Sequence, residues 1–328
     1  MSEIISVDHL VVVYPDGTRA VEDISFGVED GQFFGFLGPN GAGKSTTIKT
    51  LTTLLRKTSG KVSVGGYDLD RSSAEIRKVI GVLSQETSLD VDLTGRENLR
   101  FQGRLHQLHG RALEERVTEL LRLVQLEDSG DKPAGRYSGG MRKRLDLACA
   151  LVHKPRLLFL DEPTTGLDTQ SRTAIWEYLE SLNKNDGVTI FLTTQYLEEA
   201  DQLCHELSII DRGKIIAKGT PSELKAAVGG DRITLAFNDA SLRAKAKEVL
   251  GTLQGVTDVS DADGGVVAYV TNAGQIVAEV VTTLDRNGVK PSFLSISSPS
   301  LDDVFLRETG RRIRSDELSR KETEPFLA

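Results

Sequence analysis

The stretch Gly38 to Thr46, GPNGAGKST, has the residue types and spacing of a loop built to hold phosphate. Gly38, Gly43, Lys44 and Ser45 occupy the fixed places of the pattern G-x-x-x-x-G-K-[ST]. Its glycines let the backbone wrap a phosphate chain with N–H groups turned inward, and a helix starting there adds partial positive charge. In such a loop Lys44 reaches the β- and γ-phosphates and Ser45 holds Mg²⁺. The chemistry also needs a carboxylate-bearing strand, and Leu157 to Glu162 (LLFLDE) supplies one. Asp161 suits Mg²⁺ held through water, and Glu162 suits a base that orients and polarises an attacking water. Two acids after an apolar run also describe an ordinary solvated strand end, so the pair alone leaves both readings open.

Further pieces follow in a definite order. Gln85 comes after the β run VIGVL, where it is placed to ligate Mg²⁺ or touch the nucleophilic water. Tyr137-Ser138-Gly139-Gly140-Met141 opens a helix whose first amides and Ser138 hydroxyl suit a γ-phosphate. Alone, such a glycine pair is more often a plain flexible loop. Gly166-Leu167-Asp168 follows the acid pair, and Thr193-Thr194-Gln195 ends the next strand, where a polar side chain can sense the γ-phosphate.

The elements that must position these residues are legible too. QFFGFL (Gln32 to Leu37) reads as a buried strand into the loop and TTIKTLTTLL (Thr46 to Leu55) as a helix out of it. The first part of the chain alternates short β runs with helical stretches, the pattern of an α/β sheet with helices packed on it. From about Thr94 to Val152 no strand run intervenes. Leu113, Val117, Leu120, Leu121 and Val124 recur there at helical spacing, so a helical insertion is expected. ELSIIDRGKIIAKG reads as a hairpin turning at Asp211–Gly213. Past Val228–Gly230 the order becomes β-α-β-β-α-β, which suggests a small α+β domain of ferredoxin-like type. The expected division is therefore residues 1–228, 229–310 and a charged tail from Arg311 to Ala328.

Bulk properties exclude several classes. With 328 residues the chain has room for about two domains. A net charge of −8 argues against nucleic acid or anionic lipid as the main partner. No apolar run approaches the ~20 residues of a membrane span, and Ile4 to Val13 lacks the basic leader of a signal peptide. Cys149 and Cys204 lie in apolar contexts and read as reduced core cysteines. Arg142, Lys143 and Arg144 read as a solvated helix face.

The ordered set resembles the ATP-binding-cassette (ABC) ATPases over about residues 4–225. That resemblance implies a P-loop cassette: a RecA-like core with antiparallel β and helical subdomains, followed here by the small α+β domain. It implies ATP with Mg²⁺, and a homodimer in which ATP is sandwiched head to tail. Gly38, Pro39, Asn40, Gly41, Ala42, Gly43, Lys44, Ser45 and Thr46 become its Walker A loop, and Tyr14 stacks on adenine. Gln85 becomes its Q-loop residue, Ser138, Gly139 and Gly140 its signature acting in trans, and Asp168 its D-loop residue. Asp161 and Glu162 become Walker B and catalytic base. Metal ligands on this reading are Ser45, Gln85 and Asp161; Glu162, Gln195 and Lys44 carry catalysis.

Two departures from the family pattern matter. The signature is YSGGM where LSGGQ is usual, and Gln195 stands where most cassettes have His. Glutamine donates a hydrogen bond but carries neither a mobile proton nor a charge, which excludes a proton relay there. With TTQYLEEAD (Thr193 to Asp201) and LDDVFLRETG (Leu301 to Gly310), these features resemble the daunorubicin-resistance branch of bacterial drug-export ATPases. The function so implied is an ATPase that powers efflux of amphipathic drugs or lipids through a separate membrane permease. Such a subunit sits at the cytoplasmic face of the membrane. The competing reading is a soluble cassette that regulates or works on ribosomes or DNA. A single cassette, with neither heptads nor a cysteine cluster, disfavours it.

Overall fold

Three strands whose residues are buried throughout lie at the centre of the first part of the chain: β3 (Phe33–Leu37), β7 (Leu157–Asp161) and β8 (Thr189–Thr194). Parallel strands covered on both faces read as continuous apolar runs, which is how these appear in the sequence. In the computed structural model, which describes residues 3–237, 241–262 and 265–310, they join β6 (Ile80–Leu83), β9 (Glu206–Asp211) and β10 (Lys214–Gly219). The sheet order is β10-β9-β3-β8-β7-β6, parallel except for β10. The β9–β10 hairpin turns through Arg212 and Gly213, both with positive φ.

A second sheet, entirely antiparallel, runs β2-β1-β4-β5. Its strands are β1 (Glu3–Val13), β2 (Arg19–Glu29), β4 (Ser59–Val64) and β5 (Tyr67–Asp68). One apolar core joins the two sheets, with α1 (Lys44–Leu51) contributing Ile48 and Leu51 and α2 (Ser73–Val79) contributing Ile76. Phe191 is its hub, with Phe26, Phe34, Phe36 and Phe159 at ring centroid distances of 5.4 to 6.0 Å. These are favourable tilted aromatic contacts.

The expected helical insertion is present as α3 (Gly95–Leu105), α4 (Gly110–Leu123) and α5 (Gly139–Ala150). Thr94 and Glu97 close a capping box at the start of α3. Leu113, Val117, Leu120 and Leu121 form the buried stripe of α4, which packs with α5 and α3. After β7, α6 (Thr169–Asp186) and α7 (Leu197–Leu203) flank β8. Cys149 and Cys204 are buried and unbridged.

By compactness the chain divides between Pro221 and Ser222, at the start of α8 (Pro221–Val228). The second unit runs β11 (Asp231–Ala236), α9 (Ser241–Gly251), β12 (Val256–Ala262), β13 (Gly265–Val270), α10 (Ala273–Arg286) and β14 (Phe293–Ser297). That is the β-α-β-β-α-β order, in an antiparallel sheet β12-β13-β11-β14 with its own core of Leu235, Val266, Val280 and their neighbours. A final helix, α11 (Leu301–Thr309), starts at a capping box of Ser300 and Asp303 and buries Leu301, Val304 and Phe305. The charged tail read from Arg311 lies outside the described residues.

Candidate active site

The loop from β3 to α1 bends through left-handed glycines. Gly43 has φ 107°, and a Cβ there would stand 2.5 Å from the Ala20 carbonyl oxygen, so no other residue fits. Lys44, 4% exposed, turns its ammonium back under the loop and donates to the carbonyls of Gly38 (2.7 Å) and Pro39 (3.1 Å). It also pairs with Glu162 at 3.2 Å. Burial pulls the Lys44 pKa below its ordinary value, and the Glu162 carboxylate opposes that shift.

The acids of β7 close on the loop from the other side. Ser45 Oγ donates to Asp161 Oδ1 at 3.1 Å, and Thr193 Oγ1 from β8 donates to the same oxygen at 2.5 Å. Glu162, 7% exposed, has φ 50°, an uncommon conformation for a residue with a Cβ. Its amide donates to the Thr193 carbonyl (3.1 Å), and its Oε2 accepts from Thr165 Oγ1 (3.3 Å). The turn that ends β7 thus aims the Glu162 side chain at Lys44 instead of into solvent.

The other sequence-predicted residues fall around this cluster. The hydroxyls of Tyr14 and Thr46 share a hydrogen bond at 3.1 Å, which fixes the Tyr14 ring by the start of α1. Gln195 is half-buried just past β8, whose Thr194 carbonyl accepts from the Gly38 amide (3.2 Å). The next residue is pinned: Tyr196 lies under the Arg172 guanidinium, 4.6 Å from its ring centroid. Asp168 caps α6 by accepting from the Ser171 amide (2.9 Å) and hydroxyl (2.8 Å), which hold its carboxyl below the usual range. Ser138 caps α5 by accepting from the Met141 amide, and Ser138 and Gly139 are exposed. Gly140 abuts the α6 start so closely that a Cβ would meet Ser171 Oγ at 2.6 Å. Gln85 is exposed two residues beyond β6.

The structure therefore joins Lys44, Ser45, Asp161 and Glu162 in one bonded cluster and leaves Ser138 and Gly139 facing outward. One reading needs correction: residues 142–144 are not a solvated face. All three are half-buried, with Lys143 donating to the Ser84 carbonyl (3.2 Å) and Arg144 to the Val124 carbonyl (2.9 Å). Sequence reasoning also missed Thr193 as the buried partner of Asp161. It missed Glu199, fully buried on α7, whose Oε1 accepts from Thr164 Oγ1 and Trp176 Nε1, both at 2.8 Å.

Fold and cluster together define the class, a P-loop ATPase built as a cassette. Two family descriptions match: "ABC transporter" over residues 21–165 and "ATP-binding protein DrrA1-3-like, C-terminal domain" over 219–309. The daunorubicin resistance ATP-binding protein DrrA2 of Streptomyces coeruleorubidus is 45% identical over 300 residues, 91% of this chain and 93% of the relative. Among solved structures, cbiO1 from Clostridium perfringens, part of the ABC transporter complex cbiONQ, has a TM-score of 0.64 at 29% identity, covering 69% of this chain and 92% of its own. The dimeric bacterial ABC transporter cassette MJ0796 has a TM-score of 0.61 at 25% identity, covering 66% of this chain and 98% of its own. The chain belongs to the ABC transporter ATP-binding proteins, in the daunorubicin-resistance (DrrA-like) group. It is accordingly an ATP-binding and ATP-hydrolysing subunit of an exporter.

Proposed function

We propose that this chain works as a head-to-tail dimer that drives efflux of amphipathic drugs or lipids through a separate membrane permease. The observation that carries the reading is a divided site. The phosphate loop and both acids form one bonded cluster, while the signature Ser138–Gly140 stands outside it, with Ser138 and Gly139 exposed at the head of α5. A second copy would bring its signature to this chain's loop, and the similar cassette MJ0796 is dimeric. The daunorubicin-resistance relative supports a drug as cargo.

On this reading the amides of Gly38, Pro39, Asn40, Gly41, Ala42 and Gly43 wrap the phosphates, and Lys44 shifts its ammonium from Glu162 toward the β- and γ-oxygens. Ser45 and Asp161, hard-oxygen donors already 3.1 Å apart, fit a magnesium site with Gln85 as third ligand. When bound, Mg²⁺ offsets the charge that develops on the phosphate oxygens. Glu162 orients and polarises the attacking water. Gln195 donates a hydrogen bond to the γ-phosphate without exchanging a proton. Tyr14 stacks on adenine, the signature of the partner grips the γ-phosphate, and Asp168 holds the head of α6 beside it. The partner permease keeps the subunit at the cytoplasmic face of the membrane. Phe101 and Leu105, 54% and 63% exposed at i, i+4 on α3, offer it an apolar foothold.

Glu162→Gln tests the site. Phosphate release should fall at least ~100-fold, the low end of general-base effects, while ATP still binds. The variant should also accumulate as an ATP-bound dimer in size-exclusion chromatography. Turnover within a few-fold of the wild type would remove Glu162 from the mechanism.

A further inference from the structure

The segment that carries Gln85 is held at both ends by one helix. On its N-terminal side, Lys143 Nζ donates to the Ser84 carbonyl at 3.2 Å. On its C-terminal side, Asp146 Oδ1 accepts from the Ser88 hydroxyl at 2.7 Å and from the Ser88 amide at 3.4 Å. Lys143 and Asp146 stand at i, i+3, so they share a face of α5. Asp146 is 3% exposed, which makes it a buried carboxylate spent on a loop and not on solvent. Burial pulls the Lys143 pKa below its ordinary value, and the charges of Asp146, Asp161 and Glu162 oppose that shift.

The same helix begins with the signature. Ser138 caps α5, and Lys143 follows it by five residues, about 7–8 Å along a rigid helix. One element thus carries both the group offered to the opposite subunit's nucleotide and the clamp on this subunit's own Gln85 loop. Leu145 to Ala150 are buried and anchor the C-terminal half of the helix in the fold.

We propose that Lys143 and Asp146 are positioning residues which make α5 a lever between the two nucleotide sites of the dimer. Engagement of the signature by the partner's γ-phosphate is transmitted through them to Gln85. The inference rests on the head-to-tail reading above and adds the path by which the sites sense each other. A coupling path needs an element that reaches both sites, and α5 carries the bonds to Ser84 and Ser88 on one side and the exposed Ser138 and Gly139 on the other.

The test is steady-state ATPase activity of the full chain against ATP concentration, with thermal melting alongside. The wild type should show cooperative dependence on ATP. In Lys143→Met, losing a charged hydrogen bond should lower kcat about tenfold and leave KM within about twofold. Its Hill coefficient should fall to about 1. Asp146→Ala should act in the same direction, and the double variant should be far from additive, because both residues serve one device. Lys143→Arg, which still donates to the Ser84 carbonyl, should recover most of the loss. The lever is overturned if Lys143→Met keeps wild-type kcat and cooperativity, or if the wild type is not cooperative. It is equally overturned if Lys143→Arg is as damaged as Lys143→Met, or if activity lost merely follows protein melted at the assay temperature. Glu162→Gln separates the two readings: turnover abolished there with Lys143 variants unaffected sinks the lever alone, whereas active Glu162→Gln sinks the site.

Discussion

On the proposed reading, the single side chain of Gln195 sets the style of catalysis. It follows β8 between Thr194, whose carbonyl accepts from the Gly38 amide, and Tyr196, held under Arg172. Its neighbours are thus fixed on both sides. A glutamine stabilises charge by donation alone, so its benefit appears in the transition state more than in binding. Gln195→Ala should lower kcat more than it weakens ATP affinity, measured by phosphate release and nucleotide titration. Equal rates for the alanine variant and the wild type would take Gln195 out of the mechanism. Gln195→His should add a limb to the pH–rate profile near the ordinary histidine pKa of about 6.5, which the wild type lacks.

At the scale of elements, the helical insertion meets the parallel sheet through a pair of histidines. The His106 and His153 rings stack at 3.7 Å with no tilt. His153 Nε2 lies 2.8 Å from the Ile80 carbonyl of β6; since a carbonyl only accepts, Nε2 carries the proton. Burial, with His106 and Arg116 nearby, pushes the His153 pKa down to about 4. The unfolded chain therefore takes up this proton near pH 6.5, before the folded chain does, and stability falls as pH drops from about 6.5 to about 4. Urea midpoints measured across that range should show this acid slope, and His153→Gln should flatten it. An unchanged slope would assign the acid sensitivity elsewhere. A second element-level test concerns the tyrosine of the signature. Tyr137 is buried and donates to the Ser129 carbonyl at 2.6 Å. Tyr137→Phe should cost about 1 kcal/mol of stability, read from denaturant midpoints, because it strands that carbonyl.

For the whole molecule, the consequence of two units is two cores. One gathers Phe26, Phe34, Phe191 and Ile48 between the sheets, and the other gathers Leu235, Val266 and Val280. A unit with its own core can fold alone. Truncation after Gly230 should leave a protein that folds and binds ATP with near wild-type affinity by titration. We expect it to fail in cells as an exporter subunit, on the proposal that the C-terminal unit, with the LDDVFLRETG helix, serves assembly with the permease. Undiminished drug resistance in cells carrying only residues 1–230 would refute that role. Conversely, a truncated chain unable to bind ATP would show that the first unit needs the second to fold.

The phosphate loop, the acid pair, the all-apolar strands and the stripe of α4 were legible from the sequence because each is local. A left-handed turn against close backbone, as at Gly43, needs glycine, a doubly covered strand needs an unbroken apolar run, and a helix face repeats every few residues. The β-α-β-β-α-β order of the second unit was legible for the same reason. What only tertiary structure decided is which charged and polar groups meet. Lys143 finds Ser84 at a separation of 59 residues, Asp146 finds Ser88 at 58, and Thr193 finds Asp161 at 32. No period or spacing encodes such pairs, so a run of basic residues read as a solvated face turned out to grip a loop and a helix end. Buried polar groups must be partnered, but the partner is chosen by how distant elements pack, and that choice is made only when the chain folds.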